Sequence, residues 1–280
     1  MEKLRKYPIL SCISIFMVCA GVRIIEYFGI RTDETFFSEN FIHKIFGIVL
    51  LYGFLRFCNL TWQDIGFKKG KVFPKLGNGF LLGTVCFFAA YSIECLILYF
   101  MNHNVHLEFY VSGFSLTNDM EKQTGIGFIL LCILFNVVNV WMEEGVFRGL
   151  FSNILKDKTF KTNCFAVALL FGIWHFVMPL RDYLDGNSSL INMLVMTIGY
   201  IFLSGIMSIK WSLLYKISGN LWIGLADHLF NNVIVTNLLH VVSSKEADSL
   251  QIVRILLGQL ISFGIVYLYY KKKNKEKIYE

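Results

Sequence analysis

Three short stretches set acids, imidazoles and amides into otherwise apolar sequence. Trp141-Met142-Glu143-Glu144-Gly145-Val146-Phe147-Arg148 carries two adjacent carboxylates and a guanidinium, Phe171-Gly172-Ile173-Trp174-His175 ends on a histidine, and Asp227-His228-Leu229-Phe230-Asn231-Asn232 couples an imidazole to amides. On helices the spacing separates their roles. Glu144 and Arg148 are four apart, in the order that favours an ion pair on one face, so a carboxylate and a guanidinium can both survive burial. Glu143 points about 100° away and is free to face a cavity. His228 and Asn232 are also four apart, which sets two hydrogen-bond donors side by side, and Phe171 shares a face with His175. A carboxylate in an apolar cavity that water can reach is a usable general base, and donors aimed at a developing oxyanion gain strength where the dielectric is low. Taken singly, each residue has a plainer reading: Glu144 with Arg148 as a structural pair, either histidine as a tie between helices. Taken together at one depth, they point to a reactive centre.

The elements that must position these residues are membrane spans. Of 280 residues, 55% are hydrophobic and 16% charged, with a mean hydropathy of +0.57, whereas soluble domains carry about 25% charged residues. Continuous apolar runs predict an all-α, polytopic helical bundle of about eight spans: 8–28, 42–59, 78–101, 126–154, 162–179, 189–214, 219–240 and 250–270. Barrel strands would alternate instead over about 10 residues. One membrane domain is expected over 1–280, with 126–240 as its reactive core. The formal charge of +6 resides in short loops rather than in a basic face with interleaved aromatics, so no nucleic-acid partner is expected. Seven cysteines without CxxC spacing argue against disulfides and zinc thiolates. The basic start before the first apolar run reads as a retained first span.

Loop charge sets orientation. Lys3, Arg5 and Lys6; Lys68, Lys69, Lys71 and Lys75; Lys156, Lys158 and Lys161; Lys210 and Lys216, which flank the sixth span; and Lys271, Lys272, Lys273 and Lys275 make every alternate loop basic. This pattern predicts a multi-pass cell-membrane protein with both termini cytoplasmic. Glu143, His175 and His228 then fall roughly 14–20 Å from the cytoplasmic edge. A charge at mid-span costs about 2.5–3.5 kcal/mol on insertion scales, which makes such residues functional candidates. Arg23, Glu26, Lys44 and Arg254 lie nearer span ends and are expected to snorkel. Glu94 and His240 have no assigned role, and His103 with His106 on the 102–124 loop reads as a solvated pair rather than a metal site.

The pattern Glu-Glu-x-x-x-Arg at 143–148, Phe-x-x-x-His at 171–175 and His-x-x-x-Asn at 228–232 resembles the CPBP, or Abi, family of intramembrane proteases. That family is related to the type II CAAX prenyl endopeptidase and to bacteriocin self-immunity proteins. Ser218-Gly219-Asn220-Leu221-Trp222 before the third motif also looks typical, and Trp62-Gln63-Asp64-Ile65-Gly66-Phe67 is similar to a short cytoplasmic element of many members. Asp227 departs from the pattern, since many relatives have a small or apolar residue there. The resemblance implies an intramembrane endopeptidase whose Glu143 and His175 activate a water, with His228 and Asn232 stabilising the oxyanion and Glu144 with Arg148 holding the helix. It implies no cofactor. A zinc reading through Glu143, His175 and His228 stays open, as does a peptide-binding immunity protein or, last, a transporter. The expected partners are the bilayer and a peptide or protein substrate in or at it, C-terminal or lipidated if the likeness to CAAX endopeptidases extends so far.

Overall fold

The computed structural model describes residues 1–35, 38–113, 121–244 and 246–279, with the backbone alone at residue 3 and at 275–279. Residues 36–37 and 114–120, the latter within the 102–124 loop, and the lysine side chains at 3 and 275 lie outside the described residues. Helix α1 (Pro8–Ile25) widens into a π-helical turn at Glu26–Ile30, followed by α2 (Ile42–Phe57) and α3 (Val72–Phe100). After strand β1 (Val105–Phe109), α4 (Ile126–Glu143) continues as a π-helix over Glu144–Phe151 and closes with Ser152–Ile154. There follow α5 (Phe160–Trp174), α6 (Val177–Leu184), α7 (Leu190–Ser218) and α8 (Trp222–Phe230), the last extended by a π-helix over Asn231–Leu238. Strand β2 (Leu239–Ser243) and α9 (Gln251–Tyr279) complete the chain.

The all-α expectation holds, because a helix satisfies its own backbone where lipid cannot. Among the described residues, six helical segments are long and apolar enough to cross a membrane: Pro8–Glu34, Val72–Phe100, Ile126–Ile154, Phe160–Leu184, Leu190–Ser218 and Gln251–Asn274. The two other expected spans are shorter than predicted. Helix α2 has 16 residues, about 24 Å of rise against a hydrocarbon core of about 30 Å. The helix from Trp222 gives way to β2 at Leu239, so His240 belongs to a strand and not to a span. On the first half of α7, Ile191, Leu194, Val195, Ile198 and Phe202 recur at helical spacing and are all exposed. Such a stripe suits acyl chains and would be costly in water.

The chain forms two compact units. In the first, Met1–Gly70 with Trp141–Leu221, the loops sort into two ends. At one, Arg5 donates to Asn153 Oδ1 at 2.7 Å, Asn153 donates to the Asp64 carbonyl at 2.9 Å, and the Leu221 amide donates to the Gly66 carbonyl at 2.9 Å. Gly66 has φ +104, and a Cβ there would lie 2.8 Å from the Tyr215 ring. At the other end Arg31 pairs with Asp185, and Arg181 pairs with Asp33, Glu34 and Asp185. These groupings join loops that the charge alternation had put on common sides.

The expected snorkelling of Arg23, Glu26 and Lys44 is overturned, since all three are buried and partnered. Glu26 accepts from Thr32 Oγ1 at 2.5 Å and from the amides of Ile42 and His43 at 2.7 Å, which caps the start of α2, and it faces His43 Nδ1 at 2.5 Å. Lys44 donates to Glu39 at 2.7 Å. Arg23 donates to the Trp174 carbonyl at 2.6 Å. Burial makes an unpaired polar group costly, and these side chains find their partners across loops and helices.

The second unit comprises Lys71–Val140 with Trp222–Glu280. Its helices α3 and α8 meet at Gly79, where a Cβ would lie 2.3 Å from the Ile223 carbonyl oxygen, and one turn on at Gly83, where it would meet the Phe230 ring at 2.7 Å. This small-x-x-x-small spacing lets two backbones approach in lipid. Strands β1 and β2 pair antiparallel, Val105 opposite Ser243 and Phe109 opposite Leu239, so part of the 102–124 loop is sheet. His103 and His106 separate, one facing Ser244 Oγ at 3.0 Å and the other Glu108 at 2.9 Å. Arg254, also expected to snorkel, is buried between Glu94 at 2.8 Å and Asp248 at 2.9 Å. Glu94 thereby gains its role. His240 gains one too, meeting Asp248 at 2.5 Å and stacking on Tyr110 with ring centroids 3.9 Å apart.

Candidate active site

Glu143 closes the regular part of α4, and the backbone widens into a π-helix at the next residue, Glu144. Wide turns of this kind are rare and gather at functional sites. Each of the three among the described residues carries buried polar side chains: Glu26 in the first, Glu144 and Arg148 in the second, Asn231 and Thr236 in the third. A Cβ on Gly145 would lie 2.6 Å from Leu51 Cδ2, so the Leu51 side chain of α2 packs on the bare face that the glycine leaves at the wide turn. Below it, the Trp141 ring stacks on Phe67 at 4.6 Å and meets Trp62 edge-on at 6.0 Å. The Trp62–Phe67 element noted in the sequence thus packs against the residue two before Glu143.

Within the first unit, Glu143 and Glu144 take separate surroundings, as their one-residue offset predicted. Glu143 is 3% exposed and its Oε1 accepts from the indole Nε1 of Trp174 at 3.0 Å. Glu144 Oε1 lies 3.5 Å from Arg148 Nη1, with both side chains buried. The Arg148 guanidinium also sits over the Phe171 ring at 3.9 Å and over Trp211 at 4.8 Å. A buried guanidinium flanked by aromatic faces gains cation–π attraction where water is absent.

Phe171 serves two motifs at once. Its ring meets Arg148 on one side and His175 on the other, with the His175 ring centroid 4.8 Å away and nearly perpendicular. His175 Nδ1 lies 2.9 Å from the Phe171 carbonyl, which marks Nδ1 as the protonated nitrogen and Nε2 as the basic one. His175 caps α5 directly after Trp174. One helix end therefore carries both the donor to Glu143 and the second-motif histidine.

Trp174, Trp211 and Arg23 are the site residues that motif spacing missed. Trp174 stood inside the quoted motif, and its side chain was the available signal, because a buried indole N–H needs an acceptor. Arg23 gave a contrary signal by lying near the end of its span.

In the second unit His228 is 3% exposed on α8, while Asn232 lies in the following π-helix and is half-buried. Asn232 Oδ1 accepts from Asn231 Nδ2 at 3.1 Å, and Asn231 Oδ1 accepts from Gln259 at 3.0 Å. The Asn232 carbonyl accepts from Asn237 at 2.6 Å. These bonds orient an amide one turn after His228, with its Nδ2 as the donor end. Asp227 is buried beside it. Among the described residues, no three His, Cys, Asp or Glu side chains gather as a metal-holding group.

No curated protein and no solved structure matches this chain. A family model does: type II CAAX prenyl endopeptidase Rce1-like, over residues 125–234. That stretch is under half of the 280 residues, yet it includes all three motifs. Over residues 125–234 this multi-pass membrane protein is thus similar to the type II CAAX prenyl endopeptidase Rce1-like family.

Proposed function

We propose that the chain is an intramembrane endopeptidase that hydrolyses a peptide bond of a membrane-associated peptide or protein. Glu143 takes a proton from a water whose oxygen attacks the scissile carbonyl carbon, and His175 assists through Nε2. The carbonyl oxygen becomes an oxyanion, and collapse of the tetrahedral intermediate breaks the C–N bond, the leaving nitrogen recovering the proton. The family resemblance assigns oxyanion stabilisation to His228 and Asn232. Donors such as imidazole and Nδ2 contribute most where their orientation is fixed in advance, and the hydrogen bonds around Asn232 support that part. Glu144 and Arg148 hold the wide turn rather than react.

The observation that carries the reading is the buried Glu143 carboxylate, oriented by Trp174 beside His175, in a segment that matches the CAAX-type endopeptidases. Its substrate would be a C-terminal or lipidated peptide, reached from the cytoplasmic half of the bilayer, and no metal would be needed. The test compares the termini of membrane peptides in cells carrying wild-type protein and Glu143→Gln. Termini that vanish with the substitution, while the protein still inserts, support the role. Undiminished termini reject it, and protection of cells that survives the substitution favours a peptide-binding immunity protein. Stoichiometric zinc lost together with cleavage on chelation would overturn the metal-free version.

A further inference from the structure

Trp174 is held more firmly than packing alone requires. Its ring is met edge-on by Phe16 at 6.2 Å and Phe147 at 5.9 Å, and the Arg23 guanidinium lies over it at 4.4 Å. Arg23 Nη1 also donates to the Trp174 carbonyl at 2.6 Å. That carbonyl ends α5, where the last turn has no intrahelical donors and the helix dipole presents its negative end. Arg23 itself is fixed from below, its Nη2 donating to Tyr27 Oη at 3.5 Å. One side chain from the first helix therefore grips both the ring and the backbone of the residue that donates to Glu143 and precedes His175.

The consequence falls on the carboxylate. A glutamate's terminal torsion is broad and roughly two-fold, so packing alone leaves the plane of its oxygens loosely defined. A directional N–H on Oε1 fixes that plane and with it the direction of Oε2. Phenylalanine would fill the same aromatic nest without supplying the N–H. Lysine in place of Arg23 would keep a charge and a donor but lose the flat face that covers the ring.

We propose that Trp174 and Arg23 are positioning residues of the hydrolytic centre: the Trp174 indole orients the Glu143 carboxylate, and Arg23 locks Trp174 beside His175. The inference rests on the reading of Glu143 as the base. Two measurements on the full-length protein decide it. The first records the indole N–H resonances of 15N-tryptophan-labelled protein in lipid nanodiscs, the Trp174 signal being the one lost in Trp174→Phe. Glu143→Gln and Arg23→Lys should each move that signal, and a signal unmoved by both overturns the proposal. The second follows the membrane-peptide termini that depend on Glu143. Trp174→Phe, at wild-type abundance, should form them roughly tenfold more slowly or worse, as expected for loss of a hydrogen bond to a charged group.

Termini formed at the wild-type rate by Trp174→Phe overturn the positioning role and leave the endopeptidase reading intact. Termini unaffected by Glu143→Gln overturn the endopeptidase reading, and the positioning role with it. If Trp174→Phe fails to accumulate, Arg23→Lys makes the same decision. An Arg23→Lys protein with wild-type rates and unmoved indole signals sinks the proposal.

Discussion

Arg254 and Glu94 form an ion pair inside the second unit, Nη1 to Oε2 at 2.8 Å, with 1% and 4% of the two residues exposed. The face of Tyr91 lies 4.5 Å from the same guanidinium. Removing Glu94 leaves Arg254 with Asp248 as its one carboxylate partner among the described residues, whereas removing Arg254 leaves Glu94 without its counter-charge, a loss of about 3–5 kcal/mol. Arg254→Met is therefore expected to lower the thermal midpoint of the purified protein substantially. Glu94→Leu combined with Arg254→Met should lose less than the sum of the two single losses. Strict additivity in thermal unfolding would show that the two side chains do not interact.

The paired acids of the first motif should fail in different ways. Glu144→Gln leaves the fully buried Arg148 guanidinium without its counter-charge, so the expected loss is in stability, about 3–5 kcal/mol, and in the yield of folded protein. Glu143→Gln keeps an acceptor for the Trp174 indole and should insert and fold normally while losing cleavage. Thermal unfolding and product formation, measured on both variants side by side, separate the two. A stable but inactive Glu144→Gln protein would place that residue in the chemistry.

How much of this was legible in the sequence follows from geometry. The Glu144–Arg148 pair needs only the separation of two residues on one helix, so spacing reveals it. The Trp174–Glu143 bond joins two helices and depends on how each is rotated about its axis, which hydropathy does not encode. Arg23, Glu26 and Arg254 are misread because distance from a span end suggests snorkelling, whereas each has a partner on another element: Trp174 for Arg23, the start of α2 for Glu26 and Glu94 for Arg254. Helix α2 was overestimated for a related reason: apolar residues continue past Phe57, but the helix stops there. The wide turns at Glu144 and Asn231 leave no mark in residue type at all.

Gly79 offers a test of how α8, the helix bearing His228, is held against α3. A Cβ there would come within 2.3 Å of the Ile223 carbonyl oxygen, part of a backbone that cannot yield as a flexible side chain would. Gly79→Ala is expected to destabilise by about 1–3 kcal/mol through overpacking. Gly21, on α1, has nothing within 4 Å of the same added atom, so Gly21→Ala should leave the midpoint unchanged or slightly raised. Equal midpoints for the two variants would contradict the close approach.

Acid should loosen the β1–β2 pairing only at low pH. Burial pushes the Asp248 carboxyl upward, but hydrogen bonds from His240 and Arg254 and the Arg254 charge outweigh it and hold it below its ordinary value of 3.8. A carboxyl whose folded pKa is depressed contributes stability that is complete above the unfolded value and is lost as pH falls through the folded one. Asp248 Oδ1 also accepts from the Val241 amide at 3.1 Å, within β2. Limited proteolysis across 239–248 should therefore be slow and constant from neutral pH down to about 4, and quicken below it. Asp248→Asn keeps the shape but not the charge, and should be cleaved faster already at neutral pH. If the variant and the wild type were cleaved alike at pH 7, the carboxylate would not be what holds the strand.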